Sequence, residues 1–184
     1  SGDDRMHIVG RNGAGKTTLL KILANQLESD TGHVEHGHGL KLGYYAQEHE
    51  SLDFERTVLE NMMSATPDLR EPEARNTLGS FLFIGDDVHK PVKVLSGGER
   101  TRLALAVLVV SAANVLLLDE PTNNLDPASR AEILGALAEY QGSVIMVSHD
   151  EGAVRSLKPE RVILLPDGDE DLWKEEYFDL VSID

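Results

Sequence analysis

The stretch GRNGAGKT, Gly10–Thr17, decides how the rest of the chain is read. It fits the pattern G-x-x-x-x-G-K-[ST]. It stands between a short apolar run, Met6–Val9, and a helical pattern, Lys16–Leu27, in which Leu19, Leu20, Ile22, Leu23 and Leu27 share one broad face. Strand, glycine-rich turn, then helix is the context in which this pattern cradles phosphate. Its glycines let the backbone curl, so that successive N–H groups from Gly10, Arg11, Asn12, Gly13, Ala14 and Gly15 face one anion. The helix start adds the positive end of its dipole. Lys16 is expected to reach the β- and γ-phosphates and the Thr17 hydroxyl to ligate Mg2+, with Thr18 among the residues that contact nucleotide.

Further short apolar runs read as buried strands: Leu40–Ala46, Val115–Leu118, Val144–Val147, and Arg161–Leu165, which is stopped by the turn signal Pro166-Asp167-Gly168. A helix is expected over Pro127–Tyr140, with Asp126 as N-cap and Pro127 at the first helical position. Strands alternating with helices predict an α/β domain with a mainly parallel sheet flanked by helices. Residues 48–95 break the alternation. Thr57-Val-Leu-Glu60 is a capping-box pattern opening one helix, Glu71–Phe83 reads as another, and together they predict a helical insert.

Three strand ends carry polar chemistry. Val115-Leu-Leu-Leu-Asp119-Glu120 is an apolar run ending in two acids, suited to a parallel strand covered on both faces. Open α/β sheets bind ligands outside such carboxyl ends. Asp119 is expected to hold Mg2+ through its water shell, and Glu120 to orient and polarise an attacking water. His149, after Val144–Val147, could contact a γ-phosphate from the same edge. Gln47, after the Leu40–Ala46 run, carries an amide that could ligate the same Mg2+.

A second anion site is written into Leu95-Ser96-Gly97-Gly98-Glu99. Ser96 and Glu99 form a capping box, and the helix start exposes the N–H groups of Gly97 and Gly98 without side chains in the way. The glycine-rich turn already accounts for the phosphates of one nucleotide. Two phosphate-seeking surfaces in one small domain therefore suggest a nucleotide held between two domains.

Composition argues against a general nucleic-acid-gripping surface and for a solvated acidic face. The 184 residues carry a net charge of −15, and the acidic segment 166–184 holds eight acids against one lysine. There is no cysteine, which excludes disulfide and thiol chemistry. No apolar run approaches the ~18 residues of a membrane span, so no membrane segment is expected. In His33-Val-Glu-His36-Gly-His38, alternation on a hairpin puts His36 and His38 on one face, and two histidines without a firm third ligand do not read as a metal site. The Trp173 segment reads as an amphipathic helix packed on the domain.

In their order along the chain, these motifs resemble those of the ATP-binding cassette (ABC) superfamily. The Walker A loop falls at Gly10–Thr17, the glutamine loop at Gln47, the signature at Leu95–Glu99 and the Walker B strand end at Asp119-Glu120. The D-loop is similar to Asn124-Leu125-Asp126, and the switch histidine falls at His149. The resemblance implies a P-loop NTPase fold, ATP and Mg2+ as cofactors, Glu120 and His149 as catalytic residues, and two cassettes closing head-to-tail around two ATP molecules. A finer resemblance is to the ABC-F subfamily, soluble cytoplasmic tandem-cassette ATPases without membrane domains that act on ribosomes. It rests on LSGGERTRLALA, LLLDEPTNNLDPASR and VSHDEGAV, and on the acidic close from Trp173, which looks like the end of an ABC-F second cassette. Transporter cassettes more often carry Gln-Gln or Gln-Arg where Glu99-Arg100 stands, whereas ABC-F members usually show a histidine at the position of Asn124.

That resemblance implies a first cassette of the same longer chain, or a second copy, as partner, and ribosome contacts through parts outside this sequence. A single copy completes neither half-site, so weak hydrolysis by this chain alone is expected. Cassettes of this kind carry strands before the P-loop with an adenine-stacking aromatic. Here nine residues precede Gly10 and none but His7 is aromatic, which implies an N-terminally shortened domain. The alternative is the ATP-hydrolysing subunit of a membrane transporter. A non-hydrolysing nucleotide switch is disfavoured by Glu120 and His149.

Overall fold

The computed structural model describes residues 5–9, 42–45, 52–111, 113–159, 161–164, 169–177 and 179. They fall in two compact units, one of residues 1–44, 114–120 and 141–184 and one of residues 45–113 and 121–140.

The sheet has the order β2-β3-β4-β1-β5-β6. Its strands are β1 (Arg5–Val9), β2 (Leu42–Tyr45), β3 (Val115–Asp119), β4 (Ser143–Val147), β5 (Arg161–Leu164) and β6 (Asp169–Leu172). β1 pairs parallel with β4 and β5, and β3 pairs parallel with β4. The middle of β3 is apolar without alternation, and Leu116, Leu117 and Leu118 are all fully buried, as a strand covered on both faces requires. Val144 and Met146 of β4 are buried beside them.

β6 departs from the sequence reading. Asp169–Leu172 is a strand antiparallel to β5, and among the described residues a short turn of 3-10 helix, Glu175–Tyr177, follows it. Trp173 itself lies outside any helix, so the stretch Trp173–Tyr177 is not the expected amphipathic helix. The strand is at the sheet edge, where acidic residues are compatible with pairing on one side and discourage it on the other.

The second unit carries α1 (Val58–Met63), α2 (Glu71–Ser80), α3 (Gly97–Val110) and α4 (Pro127–Ala138). Each of α1, α3 and α4 begins where a side chain can satisfy the first N–H groups. Thr57 and Glu60 form a reciprocal capping box, as do Ser96 and Glu99. The Asp126 carboxylate accepts from Ser129 N at 2.8 Å. Asn61 is buried on α1 and fully engaged: its amide accepts from Asp53 N and donates to the carbonyls of Asp53 and Thr57. Among the described residues of 52–95 there is no strand, only an isolated antiparallel bridge between Thr57 and Pro91. In the first unit a short helix, α5 (Glu151–Leu157), follows β4 and is capped by Asp150.

α2 stops at Ser80, three residues short of the sequence expectation. Leu82 takes a left-handed conformation (φ 71°), and the N–H groups of Leu82 and Phe83 turn back to the carbonyls of Gly79 and Leu78. This C-terminal motif normally uses glycine. Arg102 of α3 supports it here: its guanidinium donates to Phe81 O at 3.1 Å and Leu82 O at 3.2 Å, and lies over the Phe83 ring. Arg100 does the same for the turn at Val92–Val94, donating to the Val92 and Lys93 carbonyls while stacking on Phe54. We predict that Arg102→Ala costs about 1–3 kcal/mol of stability, the range for losing hydrogen bonds from a charged group. A urea midpoint equal to that of the unsubstituted protein would show that Arg102 does not hold this turn.

Candidate functional site

The register of the parallel strands places the chemistry. Ile8 of β1 lies opposite Val147 of β4, and Val147 lies opposite Asp119 of β3. These three residues form one row near the carboxyl ends of their strands. β1 ends at Val9, one residue before Gly10. Beyond the row the chain leaves β3 at Glu120 and β4 at Ser148-His149. The expected phosphate loop Gly10–Thr18, its helix Lys16–Leu27, Gln47, and the histidines at 33, 36 and 38 lie outside the described residues.

Glu120 has a left-handed backbone (φ 49°), a conformation that costs a non-glycine residue roughly 1–2 kcal/mol. Its N–H donates to Val147 O at 2.8 Å, extending the β3–β4 pairing past the strand. The side chain then meets His149: the His149 N–H donates to Oε2 at 3.3 Å, and Nδ1 contacts Oε1. With the carboxylate ionised, the Nδ1 hydrogen donates to it, which leaves Nε2 for a second partner. Burial pushes the Glu120 carboxyl above its usual range. The His149 contacts oppose that shift, and the neighbouring Asp119 charge adds to it. A carboxylate held at a raised pKa is a stronger proton acceptor than a solvated one.

Asp119 is buried at 7% exposure. On β2, burial and the Asp119 charge raise the Tyr44 phenol, whose oxygen is buried without a hydrogen-bond partner. Asp119 and the neighbouring Glu120 bring carboxylate oxygens to this edge, the donor type a hard divalent cation takes. Among the described residues, no group of three or more His, Cys, Asp or Glu side chains is arranged to hold a metal by itself.

In the second unit the start of α3 is tightly built. Ser96 N donates to Glu99 Oε1 at 2.9 Å and Glu99 N donates to Ser96 Oγ at 3.2 Å. The bond from Ser96 N–H is the main cause holding the Glu99 carboxyl below its usual range. The two glycines differ. A Cβ on Gly97 would meet nothing within 4 Å, whereas one on Gly98 would come 3.2 Å from the Asn124 carbonyl. Gly97 thus leaves its N–H edge open, and Gly98 admits the Asn124 turn.

The structure brings Asp119, Glu120 and His149 to one edge in the first unit, and Ser96, Gly97 and Gly98 to one helix start in the second. Two residues escaped the sequence reading, Tyr44 and Thr101. Alternation along Tyr44-Tyr45 was the signal for the first, since adjacent strand residues face opposite sides. Thr101, a buried hydroxyl inside an apolar helix, gave none beyond its polarity.

The fold is that of an ABC nucleotide-binding domain. It superposes on a solved structure described as a dimeric post-hydrolysis state of the ATP-binding cassette MJ0796 bound to ADP and Pi, with a TM-score of 0.69 and 23% identity, covering 94% of this chain and 86% of that one. A family model described as ABC transporter matches residues 2–123, and the chain belongs to that family as an ATPase domain. It is 50% identical over 143 residues to YdiF of Bacillus subtilis, covering 78% of this chain and 22% of that protein. To ATP-binding cassette sub-family F member 3 of Mus musculus it is 41% identical over 155 residues, covering 83% and 22%. The chain thus spans less than a quarter of the length of these two relatives.

A raised Glu120 pKa has a defined sign for stability. The folded state holds the proton more tightly than the unfolded chain, so this contribution is complete below about pH 4.3 and is lost as pH rises through the raised value. We predict that Glu120→Gln, which carries no charge to bury, gains stability relative to the parent as pH increases across that window. Urea midpoints of both proteins measured from pH 4 to 8 test this. A difference that does not change with pH would remove burial as the cause.

Proposed function

We propose that this chain is the ATP-hydrolysing cassette of an ABC-F type cytoplasmic protein that acts on the ribosome in translation. The observation that carries the catalytic part is the half-buried Glu120–His149 pair, next to the buried Asp119 at the carboxyl edge of β3 and β4. Sub-family F membership of a relative 41% identical to this chain supports the ribosomal part. Among the described residues no helix is long and apolar enough to cross a membrane.

In this reading the Gly10–Thr18 loop binds the phosphates, with Lys16 supplying a charge-assisted contact to the β- and γ-phosphates. Thr17, Gln47 and, through water, Asp119 hold Mg2+, which supplies charge neutralisation on the phosphate oxygens. Glu120 accepts a proton from the attacking water at its carboxylate. The His149 N–H groups fix the orientation of that carboxylate, and Nε2 is left to face the terminal phosphate region. Ser96, Gly97 and Gly98 offer the N–H edge of α3 to a nucleotide bound by a second cassette, the first cassette of the same longer chain or another copy. The dimeric assembly named for the structurally similar cassette supports that arrangement.

In the full-length protein, Glu120→Gln is predicted to retain ATP binding and lose about 10²–10⁴-fold in turnover, the range for one general base. Parent-like turnover would take Glu120 out of the mechanism. Gly97→Asp is predicted to impair hydrolysis while this cassette's own nucleotide affinity survives, because its new carboxylate points into open space at the N–H edge and repels a partner-bound phosphate. An ATPase rate equal to the parent's would sink the reading of this edge as a surface offered across a dimer. Affinity purification separates the cellular role: ribosomal particles are expected, and recovery of a membrane permease instead would make the protein a transporter subunit.

A further inference from the structure

Thr101 is 1% exposed and lies one turn beyond Gly98 on α3. A helix interior gains nothing from a buried threonine unless its hydroxyl is used. Thr101 Oγ1 accepts from Asn124 Nδ2 at 3.5 Å and from Tyr45 Oη at 3.4 Å. Positions 98 and 101 are three apart, so they share one face of the helix. That face holds Asn124 twice. The Asn124 carbonyl sits 3.2 Å from where a Gly98 Cβ would stand, and the Asn124 amide reaches Thr101.

The turn that carries Asn124 is also fixed on either side. Thr122 and Leu125 are buried, Leu125 N donates to Thr122 O at 3.1 Å, and Arg130 donates to Leu125 O at 3.0 Å. Asn124 itself is exposed, as are Ser96 and Gly97. The exposed residue Asn124 and the open N–H edge of α3 are thus parts of one surface, joined underneath where the Asn124 amide meets the Thr101 hydroxyl.

We propose that Thr101 is a positioning residue for ATP hydrolysis: its hydroxyl locks the Asn124 turn to the first turn of α3, so that Ser96, Gly97 and Asn124 meet the nucleotide of the opposing cassette as one preorganised surface. The inference rests on the reading of this edge as a surface offered across a dimer. Preorganisation acts on the rate of the closed assembly, and nucleotide capture by this cassette's own phosphate loop does not depend on it. The hydroxyl is needed and the threonine methyl is not, so serine substitutes for it and valine does not.

The test uses the full-length protein with Thr101→Val, Thr101→Ser, Asn124→Ala and the Thr101→Val/Asn124→Ala pair. Thr101→Val is expected to lower kcat on the order of tenfold with KM for ATP unchanged, as a small misplacement of a reacting surface does, and Thr101→Ser to restore it. The double variant should lose no more than the larger single loss, because both substitutions cut the same link. Amide exchange of residues 122–126 should quicken in Thr101→Val and stay at the parent level in Thr101→Ser. If Thr101→Val does not fold, Asn124→Ala, a surface change, reads the same contact through exchange at residues 97–101, which is expected to quicken. The proposal is overturned by unchanged exchange, by failure of serine to restore kcat, or by single losses that multiply in the double variant. A parent protein that turns over no ATP would instead overturn the proposed function, and exchange alone would then decide whether Thr101 holds the turn.

Discussion

The backbone bond from Glu120 N–H to the Val147 carbonyl holds the first unit's chemistry in place. Parallel pairing sets Asp119 opposite Val147, and this bond carries the pairing one residue further, past the end of β3. To make it, Glu120 must turn into a left-handed conformation, and that turn sends its carboxylate to the first residues beyond β4. His149 is waiting there because β4 ends at Val147. A one-residue slip in the β3–β4 register would invert the faces of the strand and separate the two side chains. The three buried leucines of β3 make such a slip costly, so core packing enforces the geometry of the polar edge.

The second unit is organised on a different principle. Capping boxes, arginine side chains and buried polar groups do there what a sheet ladder does in the first unit. Arg100 and Arg102 leave α3 to satisfy carbonyls in two separate turns, and each guanidinium also covers an aromatic ring. α3 is therefore both the helix whose first turn carries the glycines and the post to which the neighbouring turns are tied. The rigidity of its N-terminus comes from contacts one to two turns further along.

What was legible in the sequence was local or strongly periodic. The capping residues Thr57, Ser96 and Asp126 act on groups three residues away, and the structure has all three in place. The buried runs of β3 and β4 are continuous enough to declare parallel strands. The end of α2 was not legible, because the signal for a left-handed terminus is glycine or asparagine and Leu82 is neither. Its support comes from Arg102, twenty residues on. The strand Asp169–Leu172 was hidden by three acids in four positions, a composition tolerable only because the strand is at an edge. Asp119, Glu120 and His149 could each be placed at a strand end from sequence, yet the contact between Glu120 and His149 depends on register and on a backbone angle that no pattern encodes.

The left-handed backbone at Glu120 has an evolutionary consequence. At φ 49° the residues that fit most comfortably are glycine and asparagine, and neither carries a carboxylate. Drift toward greater thermodynamic stability at this position therefore runs away from an acid, since relieving the strain also removes a partly desolvated charge. A lineage in which this carboxylate had no task would lose it early while keeping the sheet and the capped helices intact. Glutamate in this conformation is thus a residue that stability alone would not choose.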